Sequence, residues 1–552
     1  MKHRALLFVA LAAGGATLAV MSPAHSEPPA KRFLIEFVDG RAASGKAAVR
    51  AAGGTIVKNL DRHNAVSAEI AEAKLGALRN NPNVKLVEED ALRYPVSMVH
   101  SLPSGADRGA VEAGSGGPEV VPYGIAMVQA EGFRGDTASG VKVCVIDSGY
   151  DLGHEDKPGA DVVTGTDDIG GSGPWTEDGS GHGTHVSGTI NALDNDIGVI
   201  GVFPSVPMHI VRVFGNDGIW AYSSDLIGAL DDCMDHGANV INMSLSGILP
   251  SVLENAAFLH ALKSGVLSIA AAGNGGAGRS CDMFADPSRP ERQSCRMHYP
   301  SGYDSVVAVA AVDSDANVAS FSQVNSKVEL AAPGVSVLST VPTGSMMDVT
   351  LEAGGSTMDV VPMDNFEIPA APVVGALQDC GLGAQASDCG NATGKICLIE
   401  RGAVTFATKA LACQDAGGVA AVVFQSETGG SGPVLGTLGT TFVDIPVVGL
   451  DRATGLDLRA NHLGTSATLA FTLSGYDYDR FDGTSMATPH VAGVAALIWS
   501  RHPECGPQEI RAAMNATALD RGTPGRDKYY GFGIVQAQDA DEYLKTNGCT
   551  GN

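Results

Sequence analysis

Four polar residues have the types and local settings that acyl transfer requires. Asp147 ends an apolar, strand-like run, and His182 lies in a glycine-rich stretch before a helix. Asn274 ends a second apolar run, and Ser485 stands where a loop meets a helix of small and apolar residues. A nucleophile, a base, a carboxylate to orient the base and an amide to donate to an oxyanion form a complete catalytic set.

Each of these residues, taken alone, has a common structural explanation. An Asp or Asn after a strand usually belongs to a turn, and a Ser before a helix is usually its cap. His182 and His185 could form a metal pair, but their spacing of three lacks the Glu of a zinc-protease helix. Catalysis is favoured by the combination of all four residue types in one chain.

The segments around these residues resemble the subtilisin-like serine proteases, the subtilases. The matching strings, in chain order, are VIDSG, HGTHVSGTI, NMSLS, AAAGN and GTSMATPHVAG. The resemblance implies that Ser485 attacks the scissile carbonyl, that His182 takes and returns the proton, and that Asp147 fixes the tautomer of His182. It also implies that Asn274 and the backbone N–H of Ser485 hold the oxyanion.

The resemblance implies a substrate cleft as well. Two segments would line it and pair with substrate backbone as edge strands: Ser244, Leu245 and Ser246, and Ala271, Ala272 and Gly273. Residues 215–222 match another substrate edge strand, in which Gly218 and Trp220 would contact the substrate. Ser246 replaces the family's usual glycine, and Trp220 replaces a commonly small residue. No Asp or Glu cluster lies near these segments, so nothing there indicates selectivity for paired basic residues.

A calcium site is the cofactor that the resemblance implies. Six residues fall on the ligand positions of the family's calcium loop: Glu119, Asp156, Leu193, Asn195, Ile197 and Val199. Carbonyl, amide and carboxylate oxygens are the ligands that calcium prefers. The alternative is a solvated polar loop. Glu119 stands where the family often has Gln, and its carboxylate would coordinate more strongly.

The chain of 552 residues is long enough for several domains. We expect an α/β fold: a mainly parallel subtilisin-like sheet flanked by helices, an inserted β-rich protease-associated (PA) domain and an α+β split-βαβ prodomain. The expected parts are a signal peptide (1–26), an inhibitor-type prodomain (27–93), a connector removed or cleaved on maturation (94–118), the catalytic domain (119–343 and 476–549) and the PA insert (344–475).

The N-terminal region has the features of an export signal and of a prodomain. A positive start, an apolar run to Met21 and small residues before a cut after Ser26 are typical of a secretory signal peptide. A transmembrane anchor is the alternative, but the run is short and Gly14-Gly15 interrupts it. Strand-like and helix-like stretches over 32–93 alternate as β-α-β-β-α-β. This segment resembles the inhibitor I9-type prodomain, which would occupy the cleft until it is cut away.

Residues 344–475 account for the unusual distance of 303 residues between His182 and Ser485. This segment resembles the PA domain, whose role would be substrate access or recognition, or that of a passive spacer. Ten cysteines in an exported protein predict disulfides. Cys281 and Cys295 flank a polar loop, four cysteines cluster in the insert with three possible connectivities, and Cys505 with Cys549 would hold the C-terminal tail. Cys144 and Cys233 form a disulfide or are reduced core residues.

Composition restricts the partners. The net charge of −25 excludes nucleic acid, because phosphate binding needs clustered Lys and Arg. Residues 1–118 carry a net charge of +3 and the remainder −28, which favours docking of the prodomain on the enzyme. No later segment is apolar enough to anchor the chain in a membrane.

The expected function is that of a secreted, calcium-stabilised endopeptidase that cleaves proteins through an acyl-enzyme and processes its own prodomain. Two alternatives stay open: a non-catalytic binding protein that acts through its PA domain, and a dedicated processing protease with few substrates.

Overall fold

The protein is described here from a computed structural model. It describes residues 31–95, 99–100, 119–135, 140–215, 221–276 and 297–549, apart from short internal gaps (168, 170, 345–346, 364–365, 367, 403, 428–432, 435–437, 439–440 and 474). Within these ranges no helix combines the length and the apolar character that crossing a membrane requires.

The first folded unit is a four-stranded antiparallel sheet covered by two helices. Its elements are β1 (Arg32–Phe37), α1 (Ala42–Ala51), β2 (Thr55–Leu60), β3 (Ala65–Glu69), α2 (Leu75–Arg79) and β4 (Val84–Glu89). The strand order is β2-β3-β1-β4, and β1 lies in the centre. Apolar residues of β1 and α1, among them Phe37 and Val49, form a separate core. This element order is the one that the sequence predicts.

Two short strands follow this unit: β5 (Leu92–Pro95) and β6 (Val99–His100). The expected boundary between prodomain and connector, at residue 94, therefore falls inside β5. The strand continues past that boundary to Pro95. The polar composition of 94–118 does not indicate a strand there.

The next part of the chain alternates parallel strands and helices. Its elements are α3 (Tyr123–Met127), β7 (Val143–Asp147), β8 (Val163–Thr166), α4 (His182–Asn191), β9 (Met208–Arg212), β10 (Ala221–Tyr222), α5 (Ser223–Asp235), β11 (Val240–Met243), β12 (Leu245–Ser246), α6 (Val252–Lys263), β13 (Leu267–Ala271), β14 (Val306–Val312), β15 (Val328–Pro333) and β16 (Val337–Thr340).

Seven of these strands form one parallel sheet in the order β15-β14-β13-β11-β7-β9-β8. The central strands β7, β11 and β13 are buried along their whole length, as expected for a parallel sheet covered on both faces. Because parallel strands end at the same edge, Asp147 at the end of β7 and the residues after β13 come together there.

The insert lies between β16 and the strand that leads to Ser485. Its elements are β17 (Met347–Ala353), β18 (Ser356–Asp359), β19 (Val361–Pro362), β20 (Val373–Asp379), β21 (Ile396–Glu400), α7 (Phe406–Asp415), β22 (Ala420–Phe424), β23 (Val447–Leu450), α8 (Arg452–Asn461) and β24 (Ser466–Leu473). Its eight strands form a separate mixed sheet with its own apolar cores. The first long strand pairs with the last, Met347 opposite Leu473, so the insert enters and leaves through adjacent strands.

The chain ends with β25 (Tyr478–Asp482), α9 (Thr484–Arg501), α10 (Pro507–Thr517) and α11 (Ala537–Asn547). Every residue of α9 from Thr484 to Trp499 is buried. Small residues let this helix approach its neighbours: a Cβ on Gly493 would lie 2.6 Å from the Cβ of Val202. Helix α9 packs against both α4 and the parallel sheet.

Four disulfides are present among the described residues: Cys144–Cys233, Cys380–Cys389, Cys397–Cys413 and Cys505–Cys549. The bond between β7 and α5 excludes the alternative that Cys144 and Cys233 are reduced. The bonds in the insert select one of the three possible connectivities. Cys281 and Cys295 lie outside the described residues.

Candidate active site

The site centres on a buried contact between Asp147 and His182. Asp147 is the last residue of β7, and His182 is the first residue of α4. His182 Nδ1 lies 2.6 Å from Asp147 Oδ1, and both side chains are at most 1% exposed. His182 Nε2 is buried without a hydrogen-bond partner in the part of the chain that the structure describes. The ring therefore has one nitrogen held by the carboxylate and the other available for proton transfer.

The loop before α4 holds His182 in this position. Gly181 has φ of 76°, a left-handed conformation that favours glycine and lets the helix begin directly at His182. Asp178 Oδ1 accepts from the Gly181 N–H at 3.0 Å, and its Oδ2 accepts from the Thr184 N–H at 2.8 Å. Ser148 Oγ donates to Asp178 at 2.8 Å, so the residue after Asp147 is tied to the same carboxylate.

Opposing effects set the pKa of His182. Burial lowers the pKa, but the charge of Asp147 and its hydrogen bond raise it, and the net pKa lies above the ordinary value of 6.5. His185, one turn later, is different: its Nε2 lies 2.9 Å from the Val337 carbonyl, and burial lowers its pKa to about 3. The two histidines thus have separate environments, which does not fit a metal pair.

Ser485 is the second residue of α9 and is fully buried. Its hydroxyl donates to the Ser244 carbonyl at 3.1 Å, and the Ser244 hydroxyl donates to the Ser485 carbonyl at 2.8 Å. This reciprocal pair joins the start of α9 to the segment before β12. A serine at a helix start also has its own N–H at the positive end of the helix dipole, which favours a nearby anion.

The amide of Asn274 is oriented by Thr484. Asn274 Oδ1 accepts from both the N–H and the hydroxyl of Thr484, at 3.0 and 2.9 Å. With the amide oxygen held by these donors, the amide nitrogen is on the opposite side, as an oxyanion donor must be. The Thr484 hydroxyl also accepts from the Gly273 N–H at 3.2 Å, so the end of β13 is attached to the start of α9.

Comparison with known proteins gives matches to two families. The profile of the Subtilase family matches residues 138–359 and 436–533, which is more than half of the chain. The chain belongs to the subtilase family. The PA domain profile matches residues 369–458, inside the insert. The protein is therefore a subtilisin-like serine endopeptidase with a PA domain in its chain.

Individual subtilases are similar over most of their own length. Subtilisin NAT from Bacillus subtilis subsp. natto is 34% identical over 324 residues, covering 57% of this chain and 74% of that protein. Subtilisin DY from Bacillus licheniformis is 40% identical over 232 residues, covering 41% and 77%.

Two solved structures are also similar. One is the psychrophilic subtilisin-like protease Apa1 from the Antarctic psychrotroph Pseudoalteromonas sp. AS-11. It is 38% identical with a TM-score of 0.50, covering 79% of this chain and 100% of that one. Fervidolysin from Fervidobacterium pennivorans, 22% identical with a TM-score of 0.55 and covering 93% and 61%, supports the fold.

A strand from the N-terminal region lies beside the subtilase site. Strand β5 is the middle strand of a small antiparallel sheet, with β10 on one side and β12 on the other. Pro95 lies opposite Leu245 and Tyr94 opposite Ser246, while Arg93 lies opposite Ala221. Both β10 and β12 thus pair with one extended segment of the same chain, and their pairing with substrate stays a prediction.

Residues 271–273 are predicted to line the cleft and to pair with substrate as an edge strand, and this stays a prediction. The pairing of β13 with β11 ends at Ala270, so the residues that follow are bonded only on the β14 side. Ala271 pairs with Val309, and the Ala272 N–H donates to the Val309 carbonyl at 2.9 Å. The backbone carbonyl of Gly273 also has a partner within the protein, since it accepts a hydrogen bond from the Gln323 N–H. Gly218 and Trp220 lie outside the described residues.

The residue that replaces the family's glycine has a partner that sequence reasoning missed. Ser246 Oγ lies 3.0 Å from Nδ1 of His298. Burial lowers the pKa of His298 to about 4, so the ring is neutral near pH 7. A Cβ on Gly273 would lie 2.6 Å from the same nitrogen, so His298 connects the segments after β11 and after β13.

The six predicted calcium ligands lie in one connected cluster. Glu119 Oε1 accepts from the Asn195 N–H at 3.0 Å, and Asn195 Oδ1 accepts from the Ile197 N–H at 3.2 Å. Asp156 Oδ2 accepts from the Val199 N–H at 2.8 Å, and the Leu193 N–H donates to the Asp156 carbonyl at 3.1 Å.

The buried oxygen atoms of this cluster suit a cation. Asp156 Oδ1 is buried and has no hydrogen-bond partner among the described residues. Burial raises the pKa of Asp156 to about 7, because the hydrogen bonds to this carboxylate do not offset its loss of water. Arg134 binds Glu119 and Asp194 and neutralises only that side of the cluster. The oxygen donors and the uncompensated carboxylate together fit a divalent cation.

Sequence reasoning missed Asp178, Thr484 and His298 as supporting residues. Asp178 carried a usable signal, since an acidic residue just before a glycine-rich helix start is a typical cap. His298 carried none, because only the fold brings it to Ser246, which is 52 positions away.

The raised pKa of His182 predicts the pH dependence of hydrolysis. The base must be neutral, so kcat/KM should rise with pH through a midpoint above 6.5. Asp147→Asn removes the charge that raises this pKa, so the midpoint should move to lower pH. The maximal rate should fall by about 10⁴-fold, as it does for the corresponding change in a well-studied triad. Profiles of kcat/KM against pH for a peptide anilide test both expectations.

Asp304→Asn is the matched control, because Asp304 is 90% exposed on the surface and pairs with Lys327. It should leave the profile unchanged. If the midpoint of the rise in kcat/KM stays where it is or moves to higher pH in Asp147→Asn, the titrating group is not His182.

Proposed function

We propose that this subtilase is an exported protease that hydrolyses protein substrates with Ser485, His182 and Asp147, and that it processes its own prodomain. The contact that carries this proposal is the 2.6 Å hydrogen bond between Asp147 and His182, with His182 Nε2 left for proton transfer. Supporting it, α4 and α9 pack together with His182 and Ser485 at their starts.

The proposed reaction begins when the Ser485 hydroxyl turns from the Ser244 carbonyl to His182 Nε2. His182 takes the proton as Oγ attacks the substrate carbonyl, and Asp147 stabilises the resulting imidazolium. The oxyanion accepts from the Asn274 side-chain amide and the Ser485 backbone N–H. His182 then returns the proton to the leaving amine, and water hydrolyses the acyl-enzyme through the same groups.

The proposed prodomain docks through charge as well as through β5. Lys58 and Arg62 on the prodomain side reach Asp225 and Asp235 on α5, at 2.5 and 2.6 Å. Glu88 accepts from the Val252 and Leu253 N–H groups and so caps the start of α6. These contacts support residues 27–93 as a bound inhibitor.

The other parts of the proposal follow the sequence. A signal peptide over 1–26 accounts for secretion, and the disulfides fit an oxidising compartment. The catalytic domain is proposed over 119–343 and 476–549, and the PA domain over 344–475. The segment removed or cleaved on maturation ends within 94–118. Calcium is the proposed cofactor at the Asp156 cluster.

Replacement of the nucleophile tests the proposed function directly. Ser485→Ala should abolish labelling by a fluorophosphonate, because it removes the hydroxyl that the proposal places beside the base and the oxyanion donors. It should also leave the N-terminal segment attached, which mass spectrometry of the secreted protein would detect. Ser500→Ala is the matched control, since Ser500 lies on the same helix and its hydroxyl donates to the Leu497 carbonyl one turn earlier. Labelling that survives in Ser485→Ala would refute the proposal.

Calcium binding predicts a stability that depends on the free cation. Calcium at 100 times its Kd should stabilise the fold by about 2.7 kcal/mol, and a chelator should lower the thermal midpoint accordingly. Asp156→Asn should have a midpoint that no longer responds to calcium, whereas Asp304→Asn should respond like the wild type. Calorimetry with calcium and with excess chelator measures this difference. Equal midpoints for the wild type in both conditions would exclude the site.

A further inference from the structure

Strand β5 carries an arginine whose side chain is completely enclosed. Arg93 Nε donates to Glu254 Oε1 at 2.9 Å, and Arg93 Nη2 donates to Glu254 Oε2. Both side chains are 0% exposed. The remaining nitrogen, Nη1, donates to the Leu92 carbonyl at 2.9 Å. This two-point pairing of a guanidinium with a carboxylate is the geometry that gives specificity as well as strength.

The enzyme side of this contact is shaped for a guanidinium. Glu254 lies in the first turn of α6, and Tyr303 donates its hydroxyl to Glu254 Oε2 at 2.8 Å. Gly247, the residue after β12, lies against the Arg93 side chain. A Cβ on Gly247 would lie 2.8 Å from Arg93 Nη1 and 2.3 Å from the Leu92 carbonyl oxygen. Any larger residue there would obstruct the pocket.

The register of β5 places this pocket relative to the bond that is cleaved. Tyr94 lies opposite Ser246 and Pro95 opposite Leu245. A substrate that keeps this register has its next residue opposite Ser244, whose carbonyl accepts the hydroxyl of Ser485. If the bond after that residue is cleaved, the side chain in the place of Arg93 belongs to the fourth residue before the cleaved bond (P4).

We propose that Glu254, positioned by Tyr303, forms a substrate subsite that selects arginine at P4. This inference rests on the proposed function, in which β5 occupies the path of the substrate. The enzyme then prefers protein segments with an arginine four residues before the cleaved bond, and its own residues 93–96 are one such segment. Glu254 is a specificity residue that contacts substrate and takes no part in the proton transfers.

The energetics favour arginine over a neutral side chain. A neutral residue in this pocket would remove water from Glu254 without providing a charge or donors in return, and such an uncompensated buried charge is costly. A site built to hydrogen-bond one group therefore rejects analogues that lack it. Lysine restores the charge but not the planar fork, so it should rank between arginine and neutral residues.

Internally quenched peptides with the sequence of residues 90–100 test the subsite in the wild-type enzyme. One peptide has the natural arginine, a second has citrulline, which keeps the shape without the charge, and a third has lysine. The arginine peptide should be cleaved with a kcat/KM at least about tenfold above that of the citrulline peptide. Lysine should fall between them, and mass spectrometry of the products locates the cut. Equal rates for arginine and citrulline would overturn the inference.

The same peptides with Glu254→Gln identify the residue responsible. This variant should lose most of the preference for arginine while it keeps cleavage of the citrulline peptide, and Asp304→Asn should keep the wild-type ratio. A preference unchanged in Glu254→Gln would assign the selectivity elsewhere and overturn the inference. If Glu254→Gln fails to fold because Arg93 loses its partner, the double variant Arg93→Gln/Glu254→Gln replaces it.

The two levels of the proposal can fail separately. Full-length enzyme that cleaves denatured casein but ignores the arginine–citrulline difference has the proposed activity without the subsite. Enzyme that cleaves neither casein nor any peptide, and is not labelled by fluorophosphonate, lacks the proposed function itself.

Discussion

A buried carboxylate that holds a buried imidazole is the contact on which the rest of the site depends. Asp147 and His182 come from elements 35 residues apart, and neither side chain has meaningful access to water. A charged group in this environment needs compensation, which only accurately placed partners can supply. The parallel sheet fixes Asp147, the cap formed by Asp178 fixes the start of α4, and the packing of α9 on α4 brings Ser485 to the same edge.

The N-terminal part of the chain contacts the catalytic domain in two ways, through strand pairing and through charged side chains. Strand β5, which follows the N-terminal unit, pairs with β10 and β12 through its backbone, a contact that does not depend on sequence. Charged side chains of the N-terminal unit bind α5 and α6, which recognises a particular surface. Arg93 makes both kinds of contact, because its backbone belongs to the paired strand β5 and its side chain binds the carboxylate of Glu254. Under the proposals above, affinity for the N-terminal unit and selectivity for substrates depend on the same carboxylate, that of Glu254.

Local patterns predicted much of this arrangement, and long-range pairing accounts for what they did not predict. Asp147 and His182 are recognisable because a buried strand and a glycine-rich helix start leave clear local signals. The pairing of residues 271–273 with substrate stays a prediction, since an apolar run looks the same at the edge of a sheet and at its centre. Glu254 carried no signal either: within α6 it resembles any charged helical residue, and its partner Arg93 is 161 positions away. Only the fold reveals that this carboxylate is enclosed.

The position of the insert has an evolutionary consequence. Strands β16 and β25 pair with each other, and the PA-containing module leaves and re-enters through the adjacent strands β17 and β24. Topologically, the whole module is therefore the tip of an enlarged hairpin, in a place where chains tolerate insertion because the two ends are already neighbours. A recombination event could exchange such a module for another, or for a short turn, without displacing Ser485 a few residues downstream. This connection lets the hydrolytic core and its accessory module diversify independently.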